Sequence, residues 1–227
     1  IAGAGVAGSA VAFELAQRGV KVLLLERGTA GPAGASTVPA ALINPHRGRS
    51  GKARPQDVAG AAAFWALIQD LESSVGPSGA HRSGVLRLAD NARQARNWQK
   101  LTGTVWLEPG DVPPEYHAPF GGMLVPSGGW LRSAALLASL AAGVRAGGGS
   151  VLYGAELLGV EPSSSLERSA GAVTAALRVQ VRQVAEPSVG KASALPAATS
   201  VMACRALVVA TGAWQPAELR LCGTRIR

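Results

Sequence analysis

The sequence has few of the residues that cross-link secreted proteins or bind metals. Its 227 residues include only two cysteines, Cys204 and Cys222, which form neither a C-x-x-C pair nor a disulfide framework. The three histidines, His46, His81 and His117, are far apart and give no metal-binding pattern. We therefore expect reduced thiols, no bound metal and a cytoplasmic location.

Long apolar runs and acidic residues are also scarce. No uninterrupted apolar run reaches the roughly 18 residues of a membrane-spanning helix, so we predict no membrane association. Hydrophobic residues still make up 48% of the chain, which argues against wholesale disorder and allows a buried core. The 14 Asp and Glu residues against 22 Lys and Arg leave a net charge of +8, which permits an anionic partner.

One local excess of positive charge lies in a long segment rich in Gly, Ala, Ser and Pro. No acid occurs between Glu26 and Asp57. The cations of this segment that lie close together are Arg47, Arg49, Lys52 and Arg54. A solvated loop and an anion-contacting loop are about equally compatible with this pattern.

The first eight residues carry the strongest functional pattern in the chain. They have the spacing G-x-G-x-x-G at Gly3, Gly5 and Gly8. A helical stretch and a strand-like apolar run follow, and the run ends on Glu26, 18 residues beyond Gly8. Glycines in a strand–helix–strand unit with a terminal acid strongly indicate dinucleotide binding.

Each of these residues has a physical reason for its position. Gly3 permits a tight turn, Gly5 lets the backbone approach a pyrophosphate, and Gly8 lets the helix pack closely on the sheet. The pyrophosphate would lie at the helix N-terminus, where free N–H groups and the helix dipole favour an anion. Glu26 is placed to accept hydrogen bonds from a ribose hydroxyl.

The rest of the chain alternates between helical and strand-like patterns. Helices are expected at residues 9–17, 56–75, 90–101 (capped by Asp90) and 131–145. Strands are expected at residues 20–25, 84–88, 104–107, 121–125, 150–153, 156–160, 177–182 and 201–210. The mixture of βα units and alternating half-buried strands predicts an α/β fold with a parallel sheet and an antiparallel platform.

A second signal lies near the end of the chain. The apolar run Ala206–Ala210 reads as a buried strand and leads into Thr211 and Gly212, with Trp214 close behind. A glycine at the carboxyl edge of a parallel sheet lies where doubly wound folds bind ligands. A strand followed by Thr-Gly is common by itself, but combined with the N-terminal glycines it predicts one ligand held by two distant segments.

This two-part arrangement resembles the D-amino-acid-oxidase-like FAD-dependent oxidoreductases, a family that includes glycine oxidase and sarcosine oxidase. The likeness extends over nearly the whole chain. The segments that carry it are the N-terminal unit up to Glu26, the loop 34–45, the run 121–131 and the strand 156–160. Within the family, the loop and the run look closest to the FAD oxidase domain of the bacterial enzyme that modifies the tRNA wobble uridine.

The resemblance implies a Rossmann-like FAD-binding domain, a parallel sheet with flanking helices, interleaved with an α+β substrate domain built on an antiparallel sheet. Residues 1–45 and 131–227 would form the FAD-binding domain, and residues 46–130 part of the substrate domain. The chain is also expected to be truncated at both ends. Only two residues precede Gly3, and family members continue well beyond the final strand.

The resemblance further assigns contacts to FAD position by position. The pyrophosphate would be held by Gly3, Gly5, Val6, Ala7 and Gly8. The adenosine would be contacted by Glu26 at its ribose, by Arg27 and by the backbone of Leu157. The flavin and its ribityl chain would be lined by Ser36, Thr37, Ala40, Ala41 and Leu42. The cofactor cleft would be completed by Ala210, Thr211, Gly212 and Trp214.

The implied reaction is oxidation of the C–N bond of a small amine or amino acid by hydride transfer to the flavin. The residues assign no catalytic group. No Ser-His-Asp set, carboxylate pair or metal site in the sequence points to another mechanism. Three alternatives stay open: a nicotinamide-dependent dehydrogenase with the same fingerprint, a catalytically incomplete chain that only binds nucleotide, and an oxidase with tRNA as partner.

Overall fold

The computed structural model describes residues 1–29, 31–32, 34–162, 168–169, 172–173, 177–183, 199–212, 220–221 and 224–225. The helices in these residues are α1 (Val6–Gln17), α2 (Pro55–Val75), α3 (Ala92–Trp98) and α4 (Ser133–Ala146), with a 3-10 helix at Gly34–Thr37. The strands in the same residues are β1 (Leu23–Glu26), β2 (Ala40–Ile43), β3 (Ala80–His81), β4 (Val85–Leu88), β5 (Val105–Leu107), β6 (Gly122–Val125), β7 (Gly129–Arg132), β8 (Ser150–Tyr153), β9 (Ala155–Pro162), β10 (Arg168–Ser169), β11 (Ala172–Val173), β12 (Leu177–Gln183), β13 (Thr199–Cys204), β14 (Arg220–Leu221) and β15 (Thr224–Arg225). None of the helices described is long and apolar enough to cross a membrane.

A small parallel sheet positions the N-terminal turn. Strands β1 and β8 pair in parallel, and the first three residues of the chain lie along the other edge of β1. The Gly3 N–H donates to the Leu25 carbonyl at 2.8 Å. On the far side, the Ala2 N–H donates to the Val208 carbonyl at 2.9 Å, and the Ala210 N–H donates to the Ala2 carbonyl at 2.8 Å. Segments from the start of the chain and from residues 208–210 therefore meet at Ala2.

Helix α1 packs on this sheet through small and apolar side chains. It begins at Val6, three residues before the predicted start, and buries Ala12, Phe13 and Ala16. A Cβ at Gly147, just beyond α4, would lie 2.9 Å from the Cβ of Ala16, so the chain passes close to α1 there. This packing fixes the N-terminus of α1 at the carboxyl end of the first strand segment.

A second, mostly antiparallel sheet shares the core of this region. Strand β12 pairs antiparallel with both β9 and β13, whereas β14 pairs in parallel with β9 and antiparallel with β15. Apolar side chains from the two sheets form one cluster. Its buried members include Leu25, Leu157, Val160, Val179 and Val181.

The chain between β1 and α4 forms two further antiparallel sheets. Strand β7 lies between β2 and β3, and β6 lies between β4 and β5. Trp65 of α2 donates from Nε1 to the carbonyl of Ser127 at 2.8 Å. Trp98 of α3 is buried with Met123 and Val125 of β6. Each helix is thus attached to these sheets by a tryptophan.

The chain folds into two compact units. One contains residues 1–38 and 137–227, and the other contains residues 39–136. The sequence-based division placed residues 1–45 and 131–227 in an FAD-binding domain and residues 46–130 in a substrate domain. Those functional assignments stay predictions.

The segment 206–210 is not the buried strand that its apolar run predicts. Strand β13 ends at Cys204, and Val209 is 41% exposed. The partner of this segment is the short stretch ahead of the Gly3 turn. Since Ala2 bridges to Val209 as an isolated pair, the contact does not extend into a ladder among the described residues.

Two predicted helix starts also differ from the structure. Residues 129–132 stay extended as β7 because strands on both sides bond to them, so α4 begins only at Ser133. The cap of α3 is Asn91 rather than Asp90, since Asn91 Oδ1 accepts from the Gln94 N–H at 2.9 Å. The start of α4 is thus set by strand pairing, and the start of α3 by the side chain of Asn91.

Candidate cofactor site

A tight turn at Gly3 begins the candidate site. Its φ of +96° is a conformation that residues with a side chain rarely adopt. A Cβ on Gly3 would also lie 2.5 Å from the carbonyl oxygen of Ala210. A Cβ on Gly8 would overlap the carbonyl oxygen of Gly3. The backbone itself therefore requires glycine at both positions, with or without a ligand.

The N-terminus of α1 opens toward the same turn. Gly5 is the N-cap residue, and the Val6 N–H donates to Ser36 Oγ at 3.1 Å. The Ser9 hydroxyl donates to the Ala4 carbonyl at 2.9 Å and fixes the first helical turn. The first N–H groups of a helix have no intrahelical partner, and the dipole places partial positive charge there. This end of α1 is therefore suited to an anion.

Glu26 ends β1 with its carboxylate turned toward the glycine turn. Glu26 Oε2 accepts from the Ala4 N–H at 2.9 Å, and Oε1 accepts from the Gly28 N–H at 2.8 Å. The residue is 9% exposed. An ionised carboxylate offers about four acceptor positions, so these two bonds leave capacity for further donors such as ribose hydroxyls.

These features surround one cavity of about 710 Å³, a size typical of small-molecule sites. The predicted cofactor contacts that line it are Gly3, Gly5, Val6, Ala7, Glu26, Arg27, Ser36, Leu157, Ala210, Thr211 and Gly212. The fold thus brings the N-terminal fingerprint, the segment after β1, the start of β9 and the Thr-Gly turn to one place. Their contact with FAD stays a prediction.

Two predicted contacts near this cavity are not part of its wall. Gly8 is buried against the Gly3 carbonyl and is not among the residues that line the cavity. The Thr37 hydroxyl donates to the Gly34 carbonyl at 2.8 Å within the 3-10 helix, and Thr37 is also not among them. Gly8 affects the site indirectly, because its lack of a side chain lets α1 approach the Gly3 carbonyl.

The other predicted contacts lie elsewhere in the chain. Residues 40–42 form most of β2, which belongs to the unit of residues 39–136. Leu42 is 68% exposed there. Trp214 lies outside the described residues. The predicted flavin contacts of these residues stay predictions.

Several wall residues were missed by reasoning from the sequence. They include Val11 of α1 and both Ala155 and Glu156 at the start of β9. Glu156 is 9% exposed, and its Oε2 accepts from Nη2 of Arg182 on β12 at 2.6 Å. For Ala155 and Glu156, the available signal was their position next to Leu157, at the carboxyl side of the turn after β8.

The donors and acceptors around the cavity fit the parts of FAD. The N-terminus of α1 suits the pyrophosphate, and Glu26 offers acceptors for ribose. A Cβ at Gly5 would lie 3.0 Å from Ser36 Oγ, so glycine keeps this part of the cradle open. Apolar wall residues such as Val11 and Leu157 suit a ring system. Fold and cavity together define an α/β dinucleotide-binding protein.

Comparison with known proteins gives the family. A family model described as "DAO: FAD dependent oxidoreductase" matches residues 1–227. The chain therefore belongs to the DAO family of FAD-dependent oxidoreductases. The predicted family, the α/β fold class with parallel and antiparallel sheets, and FAD as cofactor are confirmed.

Two curated relatives and one solved structure illustrate the likeness. The tRNA 5-methylaminomethyl-2-thiouridine biosynthesis bifunctional protein of Azoarcus sp. (strain BH72) is 34% identical over 137 residues, which is 57% of this chain. Glycine oxidase of Geobacillus kaustophilus (strain HTA426) is 28% identical over 181 residues, which is 73% of this chain. The crystal structure of glycine oxidase from Geobacillus kaustophilus covers 94% of this chain with a TM-score of 0.67 and 25% identity.

The chain spans about half or less of the length of these relatives. The matches cover 21% of the tRNA-biosynthesis protein, 48% of the curated glycine oxidase and 54% of the solved glycine oxidase.

Proposed function

We propose that this chain supplies the FAD-binding part of an oxidoreductase that oxidises the C–N bond of a small amine or amino acid. The observation that carries the proposal is the meeting of the Gly3 turn, the N-terminus of α1 and Glu26 at one cavity. The likeness to glycine oxidase, whose name states an amino-acid substrate, supports the choice of reaction.

The residues of this chain would hold and orient the cofactor. The N–H groups at the start of α1 would face the pyrophosphate. Ser36 of the 3-10 helix would hold the Val6 N–H in place by a hydrogen bond. Glu26 would accept from the ribose while its backbone bonds keep the carboxylate in place. FAD held by these residues would supply the hydride-accepting chemistry for oxidation of the C–N bond.

The test is the absorbance spectrum of the purified protein, followed by anaerobic addition of glycine and a panel of other small amines. We expect a yellow protein whose flavin absorbance bleaches with at least one of them. A colourless protein that takes up no FAD would contradict the proposal. Binding of NADH without FAD would favour a nicotinamide-dependent dehydrogenase, and bound flavin that no amine bleaches would favour a chain that only binds nucleotide.

A second candidate is an oxidase whose amine is carried on tRNA. It is favoured by the 34% identity to the tRNA 5-methylaminomethyl-2-thiouridine biosynthesis protein, whose name describes an amine on a tRNA base. In that case tRNA bearing a methylaminomethyl-type amine would bleach the flavin, whereas free amines would not. Bleaching by free amines alone would leave the first candidate.

A further inference from the structure

A loop rich in arginine and lysine is held in a defined conformation in the unit of residues 39–136. We call residues 47–54 the basic loop. The Arg87 guanidinium donates to the carbonyl of His46 and, at 2.7 Å, to that of Gly48. His46 is buried, and its Nδ1 lies 2.8 Å from the carbonyl oxygen of Gly51. The loop backbone is therefore anchored from inside the unit at several points.

The same loop is attached to α3. Trp98 Nε1 donates to the Arg49 carbonyl at 3.1 Å, and Gln94 Nε2 donates to the same oxygen at 3.3 Å. The Arg87 guanidinium lies over the Trp98 ring, 4.6 Å from its centroid. These bonds use the backbone of the loop, so its cationic side chains stay available at the surface. A surface ordered in advance loses little conformational entropy on binding.

Only part of the loop charge is neutralised by a carboxylate. Asp57 pairs with Arg47 at 2.7 Å and with Arg54 at 2.8 Å. Within the described residues, no carboxylate pairs with the other two loop cations, Arg49 and Lys52, and both are exposed.

Helix α3 and the turn that follows it add three more exposed cations. They are Arg93 and Arg96 of α3 and Lys100, two residues beyond the end of the helix at Trp98. The basic loop is bonded to the same helix through Gln94 and Trp98. The combined surface, which we call the basic surface, carries seven exposed cations against two carboxylates, those of Asp57 and Asp90.

The chemistry of this surface fits the phosphates of a nucleic acid better than a lipid bilayer. A membrane-binding surface combines cations with aromatic or aliphatic side chains that enter the lipid. The basic loop and the exposed positions among residues 92–100 contain no such side chain larger than alanine. They offer cations together with the polar side chains of Ser50, Asn97 and Gln99. Repeated phosphates complement such an array because each cation displaces a condensed counterion.

We propose that the basic surface is where this protein docks the phosphate backbone of a folded RNA such as tRNA. The inference rests on the second proposed function, because an amine carried on RNA must be delivered with its polymer. Docking by the backbone would bring in the whole RNA, while recognition of the reacting amine would be left to another part of the protein.

The experiment compares tRNA binding by the FAD-loaded protein and by two variants with equal loss of charge. One variant replaces four cations of the basic surface: Arg49→Gln, Lys52→Gln, Arg93→Gln and Arg96→Gln. The control replaces four exposed cations of the other unit: Arg18→Gln, Lys21→Gln, Arg145→Gln and Arg178→Gln. Binding of an in vitro transcribed tRNA is followed by fluorescence anisotropy between about 0.05 and 0.2 M salt, the range over which phosphate contacts weaken strongly.

We expect the parent protein to bind with an affinity that falls steeply with salt. The basic-surface variant should bind at least about tenfold more weakly at about 0.1 M salt, with a salt slope smaller by about one for each lost phosphate contact. The control should stay within about twofold of the parent, because its cations lie outside the docking surface. Absence of tRNA binding by the parent, or equal losses in both variants, overturns the proposal. Tighter binding to phosphatidylserine–phosphatidylcholine vesicles than to tRNA also overturns it.

Flavin bleaching in the same samples separates this inference from the proposed function. If the basic-surface variant keeps both its tRNA affinity and its salt slope, and its flavin still bleaches, the docking surface alone is contradicted. Selective loss of tRNA binding in a protein that no amine bleaches supports the surface and contradicts the oxidase.

Discussion

At the scale of single residues, Glu26 and the glycines around it serve the fold and the candidate site together. The Glu26 carboxylate, which lines the cavity, accepts from the N–H groups of Ala4 and Gly28. Gly8 makes no wall of the cavity, yet the Gly3 turn requires that it have no side chain. Residues whose spacing predicts a ligand are thus needed first for the local backbone.

Replacing Gly8 by alanine should destabilise the protein, although Gly8 itself is not among the residues that line the cavity. The added Cβ would overlap the Gly3 carbonyl, so α1 must move away from the sheet. We expect a loss of about 1–3 kcal/mol in the free energy of unfolding, measured by urea denaturation. The matched control is Gly60→Ala in α2, where a Cβ meets nothing within 4 Å. That change should stabilise by about 0.5–1 kcal/mol, and equal effects of the two changes would refute this packing argument.

The pH dependence of stability should report on Asp57. The Arg54 side chain, which hydrogen-bonds to this carboxylate, lowers the pKa of Asp57 to about 2. A carboxyl whose pKa is lower in the folded protein stabilises the fold above the unfolded value of about 4 and loses that effect as the pH falls toward about 2. The melting temperature of the parent should therefore fall more than that of Asp57→Asn between about pH 4 and pH 2. Parallel curves for the two proteins would show that this ion pair adds no stability.

At the scale of elements, the N-terminus of α1 is completed by a residue from outside its own chain segment. Gly5 is the N-cap and offers no side chain, so Ser36 Oγ accepts the Val6 N–H instead. The start of the helix and the 3-10 helix at Gly34–Thr37 are therefore coupled. Helix α2 instead begins with its own cap, in which Arg54 and Asp57 bond to each other.

The variant Ser36→Ala should weaken this coupling. The Val6 N–H would lose its acceptor, and loss of a helix cap costs about 0.5–2 kcal/mol of stability. The control is Thr37→Ala, because the Thr37 hydroxyl bonds within its own turn, to Gly34, and is exposed. Thermal unfolding of both variants measures the difference. A larger loss for Thr37→Ala than for Ser36→Ala would count against the role of Ser36.

At the scale of the whole molecule, cofactor binding should appear as added stability. A ligand that binds only the folded state stabilises it by about 2.7 kcal/mol at one hundred times its dissociation constant. For a chain of this size, each kcal/mol raises the melting temperature by about 2–4 °C. We therefore expect saturating FAD to raise it by about 5 °C or more.

Glu26→Gln is the matched variant for this measurement. It keeps the side-chain shape and one acceptor oxygen, but it removes the charge that strengthens a ribose hydrogen bond and one of the two acceptors for the Ala4 and Gly28 N–H groups. The FAD-induced rise in melting temperature should be smaller in this variant than in the parent. An equal rise in both proteins would place the ribose away from Glu26, and a larger rise with NAD than with FAD would count against the cofactor itself.

Much of the fold was predictable because its signals are local. The turn at Gly3, the helix behind it and the strand that ends on Glu26 depend on residues within 26 positions of the chain start. The predicted helix at residues 56–75 and the strand at residues 84–88 match α2 and β4 to within one residue. In these elements the spacing of apolar residues and the positions of glycine and proline agree with the tertiary packing, so the sequence pattern predicts the elements correctly.

The rest depended on partners that are distant in sequence. An apolar run at residues 206–210 predicts a buried strand, but in the described part of the chain it bridges to Ala2 as an isolated pair, and Val209 stays exposed. The pairing of Glu156 with Arg182, the cap supplied by Ser36 and the anchoring of the basic loop by Arg87 likewise join separate segments. The sequence by itself determined the dinucleotide turn and the family, because turn geometry and glycine spacing are local. Only the tertiary structure decided which further residues, such as Val11 and Glu156, complete the cavity wall and where the positive charge collects, because those depend on which segments pack together.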